Sequence, residues 1–422
     1  MRANGILWST ALFLGVAWAI RGHFGHEWGA AWAGAIGAMA LIVGSGRKDW
    51  LAQLPYLGAV GALGWSVGGM MSYGIVIGYC RGDDFGNVFY GFLMLAIIGA
   101  LYGVMGGGFL ALALETTKEK RPDWARLLTE MVAGAMLIWG ISIYQLEWFM
   151  TPPRSELWAA CLGAALAMLW HMKRHGFHKA YRVALYTACG AGFGFSFGNF
   201  IQGLGHAADI AYNWWNVMEF ILGFSGGLAM AYAVITTEWK ETRQPPAATQ
   251  NLSLAFLFVG IPLTNYLASY TDKRLVNVAQ SLGLADPAGY ASSLLIMGAV
   301  LLVVCAAVAI VFWISRTRYQ QMTVARGLLL STAGTYLILG MFLKGYFVKM
   351  PSINNSVSAY LPLFLLGYYF ISRNTFPPFS REESKRRDPL PYVVAIVAVV
   401  ILVIALVSLW VNPPLENVNR RY

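Results

Sequence analysis

Charge is scarce in this chain. Only 12% of its 422 residues are Asp, Glu, Lys or Arg, about half the share of a soluble protein of this size. That excludes an ordinary water-facing surface. Cysteine is also rare: Cys80, Cys161, Cys189 and Cys305 stand singly in or beside apolar runs, with no paired spacing. They exclude a disulfide framework, a cysteine zinc set and a haem attachment pair, and read as small apolar packing residues. No Gly-x4-Gly-Lys-Ser/Thr phosphate loop occurs, and no polar stretch is long enough for a soluble catalytic domain. Direct use of ATP is therefore not expected.

What the chain does have is hydrophobic residues, 58% of the total. Apolar runs of membrane-spanning length recur along it. The candidate spans are 5–20, 29–46, 52–79, 88–115, 127–146, 156–172, 183–204, 216–238, 252–270, 290–314, 327–346, 356–372 and 391–411. The expected fold is an all-α polytopic integral membrane protein of about thirteen transmembrane helices, forming a single membrane domain over 1–422. Spans 52–79 and 88–115 exceed the ~20 residues a bilayer needs, so each must tilt, break or protrude. Residues 6–19, with Ala17-Trp18-Ala19 behind them, resemble a signal peptide but are expected to stay as the first helix.

Basic residues alternate between the two sides. Arg21, Arg81, Arg154, Lys273, Arg274, Lys344, Lys349, Arg420 and Arg421 occupy one set of loops. The rest of the 30 Lys and Arg fall at Arg2 and in the alternate set, 47–48, 118–126, 173–182, 240–243, 316–326 and 373–387. The richer side is expected to be cytoplasmic, which gives a multi-pass cell-membrane protein with a cytoplasmic N-terminus and an exoplasmic C-terminus. The net charge of +10 then reflects attraction to anionic lipid, and the bilayer is the expected partner rather than nucleic acid.

One pattern occurs twice. Gly64-Trp65-Ser66-Val67-Gly68 returns as Gly194-Phe195-Ser196-Phe197-Gly198, and Asn87-Val88 returns as Asn216-Val217. Gly103, Gly106, Gly107, Ala111, Ala113, Thr116 and Thr117 return as Gly223, Gly226, Gly227, Ala231, Ala233, Thr236 and Thr237. This predicts a parallel internal repeat of four-helix units, 1–120 and 121–243, followed by a divergent third part over 250–411. Gly-x-Ser-x-Gly is also a hydrolase nucleophile pattern, but no strand precedes either copy, so Ser66 and Ser196 are not expected to be catalytic. Glycines four apart, including Gly99, Gly103 and Gly107, instead suit close helix packing in a bilayer.

Two polar clusters carry the candidate chemistry. Arg21, His23, His26 and Glu27 lie between the first two spans, and on a helix His23, His26 and Glu27 would share one face. These three are candidate metal ligands, although the set is not a zinc motif and no other cofactor is implied. His206, Asp209, Asn213, Asn216 and Glu219 follow steps of three and four, a stripe leading into the eighth span. Glu219 lies about one turn inside, where a lone carboxylate is costly unless paired, protonated or wet. Asn87, Asn199 and Gln202 add hydrogen-bonding groups, and Ser72 lies on the same glycine-rich stretches. Trp28, Trp214 and Trp215 beside the clusters read first as an interfacial belt.

These residues suggest a secondary transporter for a small polar solute, a saccharide or organic anion, coupled to protons through Glu27, Glu219 and the histidines. Arg21 and Lys344 would balance charge or hold an anionic group. Its expected site is an exoplasmic-facing cavity among spans one, two, three, seven and eight, walled by Gly64–Gly74 and Gly194–Gly205. Two other classes fit the same residues. One is a membrane-embedded enzyme using His23, His26, Glu27, His206 and Asp209, with or without a metal, on a glycan or lipid-linked substrate. The other is a non-catalytic assembly subunit, expected if the polar residues simply pair off.

Overall fold

The computed structural model describes residues 3–345, 357–373, 388–411 and 418–421. Arg2, Lys349, Asn354, Asn355, Pro377, Pro378 and the remainder of the charged loop over 374–387 lie outside the described residues. The described chain is all helix, with no strand. In chain order its α-helices are α1 (Ala3–Arg21), α2 (His26–Ser45), α3 (Lys48–Leu51), α4 (Leu54–Gly68), α5 (Gly74–Tyr79), α6 (Phe85–Leu114), α7 (Trp124–Trp139), α8 (Leu157–Arg174) and α9 (His178–Ala207). They continue as α10 (Trp214–Ile235), α11 (Ala247–Ala255), α12 (Ile261–Ser269), α13 (Asp272–Ser281), α14 (Pro287–Ile314), α15 (Met322–Leu343), α16 (Val357–Arg373) and α17 (Leu390–Val411). π-helical turns at Gly140–Gln145 and Phe256–Gly260 extend α7 and join α11 to α12.

Among the described residues, eight helical stretches are long and apolar enough to cross a membrane: α2, α6, α7 with its π-turn, α10, α11 to α12, α14, α15 and α17. This is fewer than the thirteen read from the sequence, although every one of those runs is mainly helical. At 15 and 17 residues, α4 and α16 are short. Basic and amide side chains dilute α8 and α9, and the N-terminal apolar helix, Gly5–Arg21, is also short. The long run 52–79 is broken, one of the three outcomes its length allowed, whereas the run 88–115 forms one continuous helix. α4 stops at Gly68, residues 69–73 are not helical, and α5 starts at Gly74. Adjacent Gly68 and Gly69 weaken the helix there.

The chain divides into two compact units, one of Met1–Ser66 and Arg243–Pro378, the other of Val67–Thr242 and Phe379–Tyr422. The division cuts across the 1–120 segment and follows packing rather than sequence order.

In the first unit, α2 is the central element. Almost every residue from Gly29 to Ser45 is buried, as expected of a helix apolar all round. α1, α12, α15 and α16 pack about it. Trp18 meets Trp65 edge-on at 4.9 Å. Phe24, Trp32 and Tyr336 form a second aromatic knot, with centroids 4.8–5.6 Å apart. The Trp32 indole donates to the Thr332 carbonyl at 3.2 Å, and the Tyr336 hydroxyl to that of Ala17 at 2.9 Å. α13 is amphipathic: Leu275 and Ala279 are buried while Asp272 and Lys273 are exposed.

In the second unit, α9 runs between α6 and α10. Small residues set the spacing. A side chain at Gly194 would come within 2.8 Å of the Ile221 carbonyl, and one at Gly198 within 2.7 Å of the Met218 carbonyl. On another face of α9, a side chain at Gly192 would press on the Ala96 carbonyl of α6 at 2.7 Å. Ser196 is buried and donates to the Phe92 carbonyl of α6 at 2.6 Å. α7 and α8 form an antiparallel hairpin, and α17 lies against α6 and α9.

Candidate functional site

The second unit contains a set of buried polar side chains. Asn199 and Gln202 come from α9, Asn216 and Glu219 from α10. All are more than nine-tenths buried. The glycine contacts give the register: Gly198 lies against Met218, and Gly205 against the Trp214 ring. Gln202 therefore stands near the level of Asn216.

The missing member is Tyr73, which sequence reasoning did not single out. It is the last residue of the non-helical break before α5 and is 3% exposed. Its hydroxyl donates to Glu219 Oε1 at 2.5 Å, a length suited to a hydrogen bond onto a carboxylate. Phe195 lies edge-on to the Tyr73 ring at 5.0 Å, and Trp215 stacks on it at 6.0 Å. The available signal was weak: an aromatic inside a Gly-, Met- and Ser-rich gap in an overlong apolar run.

Around this pair, Gln202 Oε1 and Asn216 Nδ2 are buried without a hydrogen-bond partner among the described residues. Such orphan atoms are uncommon in folded proteins and call for a reason. Cys80 Sγ donates to the Val76 carbonyl at 3.6 Å. Glu156, another buried carboxylate, is quite different. It accepts from the Met150 and Thr151 amides at 2.8 Å and from the Trp158 indole at 2.7 Å, which fixes its own loop.

The remaining members of the predicted stripe do not share a helix with Glu219. His206 lies in the last turn of α9, and Asp209 lies in the following loop with φ +53°. Both are exposed. Asn213 is the cap of α10, accepting from the Asn216 amide at 3.3 Å. Steps of three and four suggested one continuous helix, but a capping asparagine marks where the new helix starts. Asn87 is tied up locally. Its side-chain amide donates to the Tyr79 and Asn419 carbonyls at 3.1 and 2.9 Å, and its oxygen accepts from the Arg421 amide at 2.7 Å.

The first cluster belongs to the first unit. Its helix also breaks where continuity was expected, because α1 ends at Arg21 and α2 starts at His26. Gly25 takes φ +88°, a conformation favourable only to glycine. His23 consequently does not share a face with His26 and Glu27. His23 is buried, whereas His26 and Glu27 are exposed. Arg21 is fully buried, its guanidinium 4.7 Å from the Trp18 ring and Nη1 3.4 Å from His26 Nδ1. Burial, with Lys344 and Arg274 nearby, holds His23 well below its ordinary value. Burial also lowers Lys344, and Arg274 adds to the effect.

Neither glycine-flanked serine has nucleophile geometry. Ser66 donates to the Leu63 carbonyl at 2.9 Å, and Ser196 to Phe92. Among the described residues, one group of three His, Cys, Asp or Glu side chains comes close enough to share a metal ion: Glu130, His171 and His175. It is not the set of His23, His26 and Glu27. No protein-family model, curated protein or solved structure matches this chain.

Proposed function

We propose that the chain is a secondary transporter for a small polar solute, with Glu219 as the group that handles the coupling proton or orients the solute. One observation carries this reading. Tyr73, in the break between α4 and α5, donates to the buried Glu219 of α10. Discontinuous helices beside a buried carboxylate are how many transporters build a central site. Gln202 and Asn216 supply an orphan acceptor and an orphan donor in the same unit, the pair of functions a hydroxyl-rich or carboxylate solute would use.

We further infer a parallel repeat behind the two copies. Asp84 caps α6 by accepting from the Asn87 amide, and Asn213 caps α10 by accepting from the Asn216 amide. At the other ends, Thr116 and Thr236 each donate to the carbonyl four residues earlier, at 3.0 and 2.7 Å. Local devices recurring at matched sequence positions support common descent more strongly than shared glycines do.

The test uses the full chain in proteoliposomes on a solid-supported membrane, challenged with neutral sugars and small carboxylates under an inward proton gradient. The expected result is a solute-evoked current in the wild type, lost in Glu219→Gln although that variant purifies as a folded species. Wild-type uptake by Glu219→Gln, or neither current nor proton-driven uptake of labelled solute with any member of either class, overturns the proposal.

A further inference from the structure

The α7–α8 hairpin places a set of metal-binding atoms away from Glu219. Close contact fixes the hairpin's register: a side chain at Gly134 would meet the Gly163 carbonyl at 2.6 Å and the Ala167 side chain at 2.9 Å. In an antiparallel pair, one turn back along α7 is one turn forward along α8. Glu130 is thereby level with His171, and His171 Nδ1 lies 2.7 Å from Glu130 Oε2. His175, one turn further along, stacks beside His171 with ring centroids 4.4 Å apart. One ligand atom from each of the three residues lies within 4.8 Å of the other two.

Three details bear on occupancy. His175 Nε2 is buried with no hydrogen-bond partner among the described residues, so a strong donor or acceptor atom is left unused there. The His171 side chain is 1% exposed while that of Glu130 is 24% exposed, which gives one fixed ligand and one on the path from solvent. Arg126 holds the other carboxylate oxygen, Oε1, at 2.9 Å and so orients Oε2 toward the imidazoles.

We propose that Glu130, His171 and His175 bind one first-row divalent ion of the Zn²⁺ class, through two nitrogens and one oxygen, with a fourth position open to water. Two imidazoles and a carboxylate suit Zn²⁺, Co²⁺ or Ni²⁺ better than Ca²⁺ or Mg²⁺, which prefer all-oxygen sites. Zinc bonds of ~2.0–2.2 Å put tetrahedral ligand atoms about 3.3 Å apart. The observed spread therefore closes on an ion by small side-chain rotations. The site stands independently of the transport reading, since none of its residues belongs to the Tyr73–Glu219 set.

The test is titration of chelator-treated full chain, in detergent, with Co²⁺ followed by visible absorption and then with Zn²⁺ as competitor. The expected result is one Co²⁺ per chain with tetrahedral d–d bands, displaced by Zn²⁺. Affinity should fall at least about tenfold in His175→Ala and in Glu130→Gln, and stay unchanged in a His26→Ala, His206→Ala double variant at two exposed histidines. Raised thermal stability of the wild type with Zn²⁺, absent in His175→Ala, is a second readout that does not depend on how well the variants fold. No Co²⁺ bands in the wild type, or bands unaltered by His175→Ala, overturn the proposal.

Discussion

Buried His23 has two cations in its surroundings. Lys344 and Arg274 both disfavour the charged ring, and burial does so more strongly. A histidine held below its unfolded value of 6.5 stabilises the fold only while neutral. Its contribution is complete above that pH and is lost as pH falls, because the unfolded chain then binds the proton more readily. The melting temperature of the wild type should therefore drop between pH 7 and pH 5 more steeply than that of His23→Gln. Parallel curves for the two proteins would refute this account. Residue by residue, the sequence was informative where cost dictated the answer. Glu219 stood out because a carboxylate inside an apolar run must find a partner. Tyr73 was not legible, because an aromatic residue in an apolar segment has many uses and its partner lies 146 positions away.

At the scale of helices, hydrophobic runs located nearly every long element, and of the two overlong runs one breaks, after Gly68, while the other stays continuous as α6. Two breaks were missed for one reason. Spacing by threes and fours describes a helix face only if the helix continues. Gly22 and Gly25 end that continuity at the first cluster, and the Asn213 cap ends it at the second. The glycine spacing was the better guide. It predicted close packing, and α6, α9 and α10 do approach at backbone distance. A side chain at Gly198 would meet the Met218 carbonyl at 2.7 Å, whereas one at Gly334 meets nothing within 4 Å. Gly198→Val should thus cost about 1–3 kcal/mol or prevent folding, while Gly334→Ala should be neutral or slightly stabilising, about 1 kcal/mol at most. Thermal melting of the two purified variants decides it, and equal melting points would remove close packing as the explanation.

Across the whole molecule, the compact units could not be read from the sequence. They gather Met1–Ser66 with Arg243–Pro378, and Val67–Thr242 with Phe379–Tyr422, pairings set by long-range packing that no local period encodes. Orientation rests on the alternation of basic loops. Arg154 and Lys240 lie on opposite sides of that alternation, and both are exposed. Introduced singly, with the four native cysteines replaced, Lys240→Cys should react with an impermeant maleimide only from the cytoplasmic side, and Arg154→Cys only from outside. Labelling of both from the same side would overturn the assigned topology.

The glycine-lined faces of α9 have one further consequence. Gly190, Gly194 and Gly198 step by four, as do Gly99, Gly103 and Gly107 on α6, and four residues are one helical turn plus about 40°, about 6 Å of travel. Moving α9 along its own axis by that distance, with that small rotation, sets two glycines of its row where their neighbours had been. Within each row, the glycines by themselves do not distinguish adjacent registers. What chooses is the set of contacts that do not recur every turn, such as Ser196 on the Phe92 carbonyl. A few hydrogen bonds thus act as detents on an otherwise smooth rail.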